Sequence, residues 1–203
     1  HLKLQKENHK CLMGIMVEVV VENMSNEVRI YDNFFSEDIR DEIYTFLLKK
    51  PIWSFSGGKE TDRIWHVENL EKNTYFSDYI FNIICEKLNT KFLIKRIYAN
   101  GQTATMCGVP HPDDGDLTFL YYPNPFWHPE DQGHLVFLSS DTDAQEVIEV
   151  GVQTKDEVDR IVNYKPNRAV LFPGSIVHYS DAPHRKFNGL RISLAYKLWR
   201  VNE

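Results

Sequence analysis

The feature that most constrains the fold is a change of sequence character at Lys91. From there on, short segments rich in β-branched and aromatic residues alternate with clusters of Gly, Pro, Asn and Asp, which favour turns. Several short strands in succession bury their apolar faces best as two packed sheets, so this half predicts a sandwich or jelly roll. The predicted strands are Phe92–Ala99, Leu117–Tyr122, Leu135–Leu138, Glu146–Val150, Ala169–Phe172 and Leu190–Leu198.

The first half of the chain predicts helices. Ser36 is a candidate N-cap, because acidic residues fill the turn after it and apolar residues recur at helical spacing as far as Lys50. A second helix is predicted from about Ser77 to Asn89. Helices followed by strands predict an α+β chain whose second half is a sandwich or jelly roll. The remaining predictions here are a strand over Val28–Tyr31 and a loop or short strand over Pro51–Asn73.

The length of 203 residues suits one domain with a sizeable core. We expect residues 1–26 to be an N-terminal extension and residues 27–203 to form a single domain. Within the extension, the apolar run Cys11–Val21 is interrupted by Glu18. It is too short for a membrane span and lacks a small-residue cleavage site, so it predicts a strand.

Charge and cysteine content exclude several functional classes. The net charge is −6, and the chain lacks the basic face that nucleic-acid binding usually requires. The three cysteines are odd in number and widely spaced, so they do not indicate a disulfide framework, and a reducing compartment fits them better. We therefore expect a cytoplasmic protein that binds neither nucleic acid nor membrane. The sequence leaves the oligomeric state open.

The first chemical signal is His111-Pro112-Asp113. Residues i and i+2 of a strand share a face, so this pair can present an imidazole and a carboxylate to one ion. The signal is weak by itself, because a chain with 8 His and 29 acidic residues contains about one His-x-acid pair by chance, and this chain contains three. We interpret the other two pairs, at His66 and His128, as surface pairs.

The context of His111 distinguishes it from the other two. The later segment Arg168–His178 combines an apolar strand, a Pro-Gly turn and a His where the next strand begins. A second His from another strand would complete a two-His-one-carboxylate set, which is typical of non-haem Fe(II) oxygenases.

Arg191 opens the last predicted strand. A guanidinium is permanently charged and binds carboxylates through two hydrogen bonds, so one buried in a barrel requires an anion. From its position alone, a surface Arg or an internal salt bridge is an equally good interpretation. Arg185, Lys186 and Lys197 are the alternative cations nearby.

Taken in order, these segments resemble the prolyl-4-hydroxylase-like branch of the Fe(II)- and 2-oxoglutarate-dependent dioxygenases. The resemblance covers roughly residues 28–198 and implies an α+β fold, a double-stranded β-helix (jelly roll) with N-terminal supporting helices. Four ordered motifs carry it: HPDD at 111–114, TFLYYPNPFW at 118–127, RAVLFPGSIVH at 168–178 and GLRISLAYKL at 189–198.

The resemblance implies roles for individual residues. His111, Asp113 and His178 match the iron ligands, and Arg191 matches the residue that binds the distal carboxylate of 2-oxoglutarate. Tyr122 and Tyr98 match pocket tyrosines, for which core packing is the alternative. The lesser pocket contacts would be Leu135 and Ser193, and the expected substrate contacts are Trp127, Trp65 and His66.

The resemblance also implies a reaction. Such an enzyme uses Fe(II), 2-oxoglutarate and O2, with ascorbate as a candidate reductant. It releases succinate and CO2 and hydroxylates an unactivated C–H bond. The expected substrate is a prolyl residue in a peptide or protein, and a small amino-acid-like molecule is the alternative.

Three departures from the family pattern bear on these expectations. Gln132-Gly133-His134 stands where many relatives have Gly-Gly-Glu, and strand alternation should direct His134 away from the metal. The segment Asp181–Gly189 is longer than in shorter relatives, which suggests a role in substrate access. Pro112 is unusual in a strand, although an edge tolerates it.

Two other functional classes stay open at this point. One is a jelly-roll metalloprotein with non-redox chemistry, which would need neither Arg191 nor Tyr122. The other is a non-catalytic binding module whose site has decayed.

Overall fold

The computed structural model describes residues 27–55 and 64–201. The predicted N-terminal extension, with its strand at Cys11–Val21, and the Gly57-Gly58 part of the predicted loop lie outside the described residues. The helices are α1 (Glu37–Lys49), α2 (Phe81–Leu88) and α3 (Ala144–Val150). The strands are β1 (Arg29–Tyr31), β2 (Ser54–Phe55), β3 (Trp65–Val67), β4 (Phe92–Gln102), β5 (Leu117–Tyr121), β6 (Leu135–Leu138), β7 (Val158–Val162), β8 (Ala169–Pro173), β9 (His178–Ser180) and β10 (Arg191–Arg200).

These strands form two antiparallel sheets. The larger sheet has seven strands in the order β1-β8-β5-β10-β4-β3-β2, and the smaller has three in the order β7-β6-β9. One apolar cluster combines residues of both, including Leu120 and Phe172 from the larger sheet and Leu135 and Phe137 from the smaller. The two sheets therefore pack face to face, and the predicted sandwich is confirmed.

Helices α1 and α2 cover the other face of the larger sheet. Ile43 of α1 and Ile84 of α2 are fully buried in one cluster with Leu194 of β10. Because side chains alternate along a strand, the neighbours of Leu194 in β10 point to the inner face, between the sheets. The predicted N-terminal supporting helices are confirmed. In the described ranges, every helix is too short or too polar to span a bilayer.

The ends of these helices follow local sequence signals. As predicted, Ser36 caps α1, and its Oγ accepts a hydrogen bond from the N–H of Ile39 at 3.4 Å. The second helical segment begins slightly earlier than predicted, because a π-helical turn over Tyr75–Ile80 runs directly into α2. It ends as predicted at Asn89, which adopts φ 48°.

The predicted strand at Glu146–Val150 is wrong, because these residues belong to α3. Val147 packs with Val136 and Leu138 on the outer face of the smaller sheet. The β-branched residues favoured a strand locally, but a helix with one apolar face covers this sheet, and tertiary packing outweighs the local preference.

Strand β7 was not predicted. It lies at the edge of the smaller sheet, and Asp159, Arg160 and Ile161 are all exposed. Only its last residue, Val162, is fully buried in the core between the sheets. The usual alternation of apolar and polar residues is therefore missing from its sequence.

Candidate active site

A backbone bridge brings two of the predicted ligands together. The N–H of His111 donates to the carbonyl of His178, and the N–H of His178 donates back to the carbonyl of His111, both at 3.1 Å. Residues directly opposite each other in such a pair project their side chains to the same side. The two imidazole rings accordingly lie 5.0 Å apart between centroids.

The Pro173-Gly174 turn holds the third predicted ligand. The N–H of Asp113 donates to the carbonyl of Gly174 at 2.7 Å. A Cβ atom at Gly174 would stand 2.1 Å from the carbonyl oxygen of Gly115, so only glycine permits this approach. Pro112 lies outside the described strands, so its missing N–H breaks no ladder hydrogen bond.

The side chains of His111, Asp113 and His178 form one compact group. Their candidate ligand atoms all lie within 4.8 Å of one another. The two carboxylate oxygens of Asp113 face the two rings: Oδ1 is 3.5 Å from Nε2 of His111, and Oδ2 is 3.4 Å from Nε2 of His178. The side chains of Asp113 and His178 are 1% and 8% exposed, against 53% for His111, so the group opens to solvent beside His111.

Backbone carbonyls orient both rings. Nδ1 of His111 lies 2.7 Å from the carbonyl of Val109, and Nδ1 of His178 lies 2.8 Å from that of Ile176. A carbonyl only accepts, so each Nδ1 carries the proton. In the neutral ring the lone pair is then on Nε2, the atom that faces Asp113, which is the usual orientation of a metal-binding histidine.

The surroundings favour a neutral His178 and an ionised Asp113, whereas Asp113 raises the pKa of His111. Burial lowers the pKa of His178 to about 4, against the opposing charge of Asp113. Burial acts to raise the pKa of Asp113, but the nearby His111, Lys197 and His178 together hold it well below its usual range. A neutral His178 and an ionised Asp113 are suited to a divalent cation.

Two partners of Asp113 had no predicted role in the metal site. Nζ of Lys197 contacts Oδ2 of Asp113, and Oγ1 of Thr118 donates to the same oxygen at 2.5 Å. Lys197 follows Arg191 by six positions in the same strand, so alternation places both on its inner face. That spacing is the signal by which sequence reasoning could have found Lys197.

Arg191 is a buried cation, and one nitrogen of its guanidinium group has no hydrogen-bond partner. It is 1% exposed, and its Nε and Nη1 donate to Gly133 O at 2.8 Å and Gln102 Oε1 at 2.7 Å. Its Nη2 has no hydrogen-bond partner. No acidic side chain of residues 27–55 and 64–201 lies within salt-bridge distance of it. Gly133, at φ 72°, makes room, since a Cβ there would stand 2.9 Å from Cδ of Arg191.

Aromatic rings surround Arg191. Its guanidinium carbon lies 4.8 Å from the centroid of the Tyr164 ring and 5.4 Å from that of Tyr122. These two rings stack with centroids 4.3 Å apart. The Tyr122 hydroxyl is buried without a hydrogen-bond partner, whereas that of Tyr164 has Asn124 Oδ1 at 2.6 Å. Sequence reasoning missed Tyr164 because it follows the unpredicted β7.

The other predicted cosubstrate contacts lie on the walls between the sheets. Ser193 is buried two positions after Arg191, on the same face of β10. Tyr98 is directly opposite Ala195 and packs against the core between the sheets. Leu135 reaches that core from the smaller sheet.

Two of the three predicted substrate residues, Trp65 and His66, are neighbours in β3. His66 lies opposite Asn100, on the inner face, and its Nδ1 is 2.8 Å from Asn100 Oδ1. Trp65 is the preceding residue and therefore lies on the opposite face, in contact with Phe55. This placement does not support a substrate role for Trp65.

Trp127 lies at the Arg191 end of the site. Its ring packs between Tyr164, at 4.1 Å, and Phe187, at 4.7 Å. Phe187 belongs to the long segment 181–189, so this segment closes the aromatic wall around Arg191. Trp127 thus contributes to the pocket wall, and Nε1 donates to the Gln132 carbonyl at 3.1 Å.

The remaining histidines singled out in the sequence lie outside the group. His128 caps a short 3₁₀ turn, and Nδ1 of His134 accepts a hydrogen bond from the N–H of Tyr164. Asp114, next to Asp113, pairs with Lys95 and Arg96 at the surface. An open hollow of about 640 Å³ elsewhere, around residues 152–161, contains none of the predicted site residues.

Comparison with known proteins gives matches at the level of structure. No protein-family model matches the chain, and no curated protein matches it significantly. HygX from Streptomyces hygroscopicus, solved with nickel and 2-oxoglutarate, has a TM-score of 0.64 at 10% identity, covering 87% of this chain and 84% of its own. SnoN, a non-haem α-ketoglutarate-dependent epimerase from nogalamycin biosynthesis, has a TM-score of 0.62 at 11% identity, covering 86% and 79%.

A third similar structure is a prolyl hydroxylase from Trichoplax adhaerens, solved in complex with a hypoxia inducible factor peptide fragment. Its TM-score is 0.58 at 16% identity, covering 86% of this chain and 84% of its own. At these identities the likeness establishes the fold. Together with the two facing antiparallel sheets, it confirms that the chain folds as a double-stranded β-helix supported by N-terminal helices.

Proposed function

We propose that this protein is an Fe(II)- and 2-oxoglutarate-dependent dioxygenase. One observation carries the proposal. Three buried side-chain atoms in the described part of the chain have no hydrogen-bond partner: Asp113 Oδ1, the Tyr122 hydroxyl and Arg191 Nη2. Buried polar atoms are nearly always paired, so unpaired ones indicate groups that bind there. The first belongs to the histidine–aspartate group, and the other two belong to neighbouring side chains, since the guanidinium carbon of Arg191 lies 5.4 Å from the centroid of the Tyr122 ring.

The first group fits a divalent metal ion. His111 and His178 would each offer a neutral Nε2, and Asp113 would offer Oδ1. Two imidazoles and one carboxylate are the donor set of non-haem Fe(II) oxygenases, which leave coordination positions for a cosubstrate and O2. The same chain segments hold the donors in place through backbone hydrogen bonds, so the set is ordered before an ion binds.

The second group fits a carboxylate. Arg191 is buried without an acidic partner among the described residues, and a buried charge is costly unless it is paired. Nη2 of Arg191 and the hydroxyl of Tyr122 would donate to the distal carboxylate of 2-oxoglutarate. Ser193, Tyr98 and Leu135 would line the space between this carboxylate and the metal.

When bound, Fe(II) and 2-oxoglutarate supply an O2-dependent oxidation that converts the cosubstrate to succinate and CO2 and a substrate C–H to C–OH, with ascorbate as a candidate reductant. The protein's own residues orient the reactants. Arg191 and Tyr122 hold one end of the cosubstrate, and the aromatic wall around them excludes water. The exposed side of His111 is where a substrate would reach the site.

We further propose a prolyl residue of a peptide or protein as the substrate. The motif resemblance to prolyl 4-hydroxylases supports this, as does the likeness in fold to a prolyl hydroxylase solved with a peptide. A small amino-acid-like molecule is the alternative, and HygX, which has also been solved with hygromycin B, shows that a similar fold can bind a small molecule. His66 and Asn100, paired on the inner face, are the proposed substrate contacts in either case.

Anaerobic titration of the metal-free protein with Fe(II) and 2-oxoglutarate tests the cofactors. A keto acid chelated to Fe(II) has a weak visible charge-transfer band, and we expect it here. A jelly-roll metalloprotein with non-redox chemistry would bind a metal without this band. A non-catalytic module with a decayed site would bind neither.

Mass spectrometry tests the substrate. Peptides and metabolites would be incubated with the protein, Fe(II), 2-oxoglutarate and O2, and products with one added oxygen sought. We expect the added oxygen on proline in a peptide, with one succinate formed for each product. Hydroxylation of small molecules alone would contradict the prolyl assignment and leave the oxygenase assignment intact.

A further inference from the structure

Lys197 is a buried cation to which the proposed reaction assigns no task. It is 1% exposed, and its Nζ contacts Asp113 Oδ2 and lies 3.1 Å from Thr118 Oγ1. In the described residues, Asp113 supplies the one carboxylate within salt-bridge distance of it. The neighbouring Asp114 is instead paired with Lys95 and Arg96.

The sheet determines this position. Lys197 of β10 is directly opposite Thr118 of β5 on one side and Arg96 of β4 on the other. Lys197 and Thr118 therefore approach Asp113 from two central, hydrogen-bonded strands. A contact made by two such strands is ordered by the sheet itself and requires no ligand.

Lys197 and Thr118 both use the same oxygen of Asp113. Oδ2 receives the ammonium group and the Thr118 hydroxyl, whereas Oδ1 has no hydrogen-bond partner. The carboxylate is therefore divided into one oxygen bound by the protein and one oxygen left for a ligand.

We propose that Lys197 is the internal counter-cation of Asp113, paired with Oδ2 while Oδ1 stays available for the metal ion. The inference rests on the proposed metal centre. Before an ion binds, Lys197 compensates the charge of a buried carboxylate that would otherwise be unpaired. After an ion binds, the ammonium group repels it, because both cations share one carboxylate.

A counter-cation and a merely structural side chain predict different effects on metal binding. Removing the positive charge should destabilise the metal-free protein and at the same time tighten metal binding. Loss of a merely structural side chain would lower stability and weaken or preserve metal binding. The direction of the change in metal affinity therefore separates the two roles.

The test measures Mn2+ binding to metal-free protein by electron paramagnetic resonance of the free ion, and thermal unfolding with and without Mn2+. Lys197→Met and Lys197→Gln remove the charge, and Lys197→Arg keeps it. Thr118→Val is the matched control, because it removes a hydrogen bond to the same oxygen without changing the charge.

We expect both neutral variants to bind Mn2+ at least about tenfold more tightly than the wild type, equivalent to about 1.4 kcal/mol. Their metal-free Tm should fall, and Mn2+ should raise it by more than in the wild type. Lys197→Arg should stay within about threefold of the wild-type affinity, and Thr118→Val, which keeps the charge, should not tighten Mn2+ binding. A neutral variant that folds only with Mn2+ would also support the proposal, since the ion then replaces the lost cation.

Unchanged or weaker Mn2+ binding by the neutral variants would overturn the assignment of Lys197. So would neutral variants that fail to fold both with and without Mn2+, because the ion should replace the missing charge. Failure of the wild type itself to bind Mn2+ would instead remove the proposed metal centre, which distinguishes the two failures.

Discussion

His111 and His178 are joined by two reciprocal backbone hydrogen bonds of 3.1 Å, although one lies in the loop after β4 and the other begins β9. This single bridge sets the spacing of two candidate metal ligands. The third, Asp113, is held by the turn that precedes His178. The geometry of the candidate site is therefore a property of the backbone as well as of the side chains.

Replacing Asp113 with Ala should abolish metal binding and succinate formation, because it removes the anionic donor of the set. Asp114→Ala is the matched control, since Asp114 pairs with Lys95 and Arg96 at the surface. Metal titration followed by succinate assay measures both. Loss of activity in the Asp114 variant with retention in the Asp113 variant would show that the candidate ligand is misassigned.

Arg191→Ala should raise the KM for 2-oxoglutarate at least about a hundredfold, since breaking a buried charged pair costs on the order of 3–5 kcal/mol. Metal affinity should change little, because Arg191 does not belong to the metal-binding group. Arg185→Ala is the control, as Arg185 is exposed. Steady-state kinetics with varied 2-oxoglutarate measures the effect, and an unchanged KM would mean that another cation holds the carboxylate.

Tyr122→Phe should weaken the binding of 2-oxoglutarate without changing the stability of the fold. The hydroxyl has no hydrogen-bond partner among the described residues, so its removal should leave the free energy of unfolding unchanged within about 1 kcal/mol. The KM for 2-oxoglutarate should rise roughly tenfold or more, because a hydrogen bond to a charged group contributes about 1.5–3 kcal/mol.

The matched variant is Tyr164→Phe. The Tyr164 hydroxyl has Asn124 Oδ1 at 2.6 Å and Ile192 O at 2.8 Å, so its loss should destabilise the fold by about 1–3 kcal/mol. Urea denaturation compares the two proteins. Equal destabilisation by both substitutions would argue against a ligand-binding role for the Tyr122 hydroxyl.

Gly174→Ala should damage the metal site through the backbone, because the Gly174 carbonyl accepts a hydrogen bond from the N–H of Asp113. A Cβ at this position would stand 2.1 Å from the Gly115 carbonyl, so the turn must move away from Asp113, at an expected cost of about 1–3 kcal/mol. Mn2+ affinity should fall with it. Ser175→Ala, at the exposed neighbouring position, should leave both quantities unchanged, and calorimetry measures them together.

An ion pair at the edge of the larger sheet predicts a pH dependence. Arg168 donates to Asp32 at 2.6 Å, and this hydrogen bond lowers the pKa of Asp32 from 3.8 to about 2, with further help from Lys165. A lowered folded-state pKa stabilises the fold above the unfolded-state value, and the benefit disappears as pH falls through the folded-state value.

Asp32→Asn should therefore be less stable than the wild type at neutral pH, by up to about 1 kcal/mol for a partly exposed pair. The difference should shrink between about pH 4 and pH 2, where the wild-type carboxylate becomes protonated. Urea denaturation of both proteins across this range measures it. A difference that persists at pH 2 would assign the effect to something other than the ion pair.

The sequence by itself determined the fold class and the identity of the candidate site residues. Strand periodicity identified β5, β6, β8 and β10, and Ser36 identified the start of α1, because these features depend on near neighbours in the chain. The His-Pro-Asp motif, the Pro-Gly turn and Arg191 stood out because their residue types carry specific chemistry.

Tertiary structure alone decided the rest. Glu146–Val150 forms a helix because it covers the outer face of a sheet. Strand β7 forms although its sequence lacks the alternation of apolar and polar residues that is typical of a strand. Likewise, the role of Lys197 beside Asp113 and the free hydroxyl of Tyr122 became visible only when strands distant in sequence were paired. The local sequence encodes how the side chains of a strand alternate between its two faces. Contacts between elements depend instead on which strands become neighbours, and the packing of the whole chain decides the order of the strands.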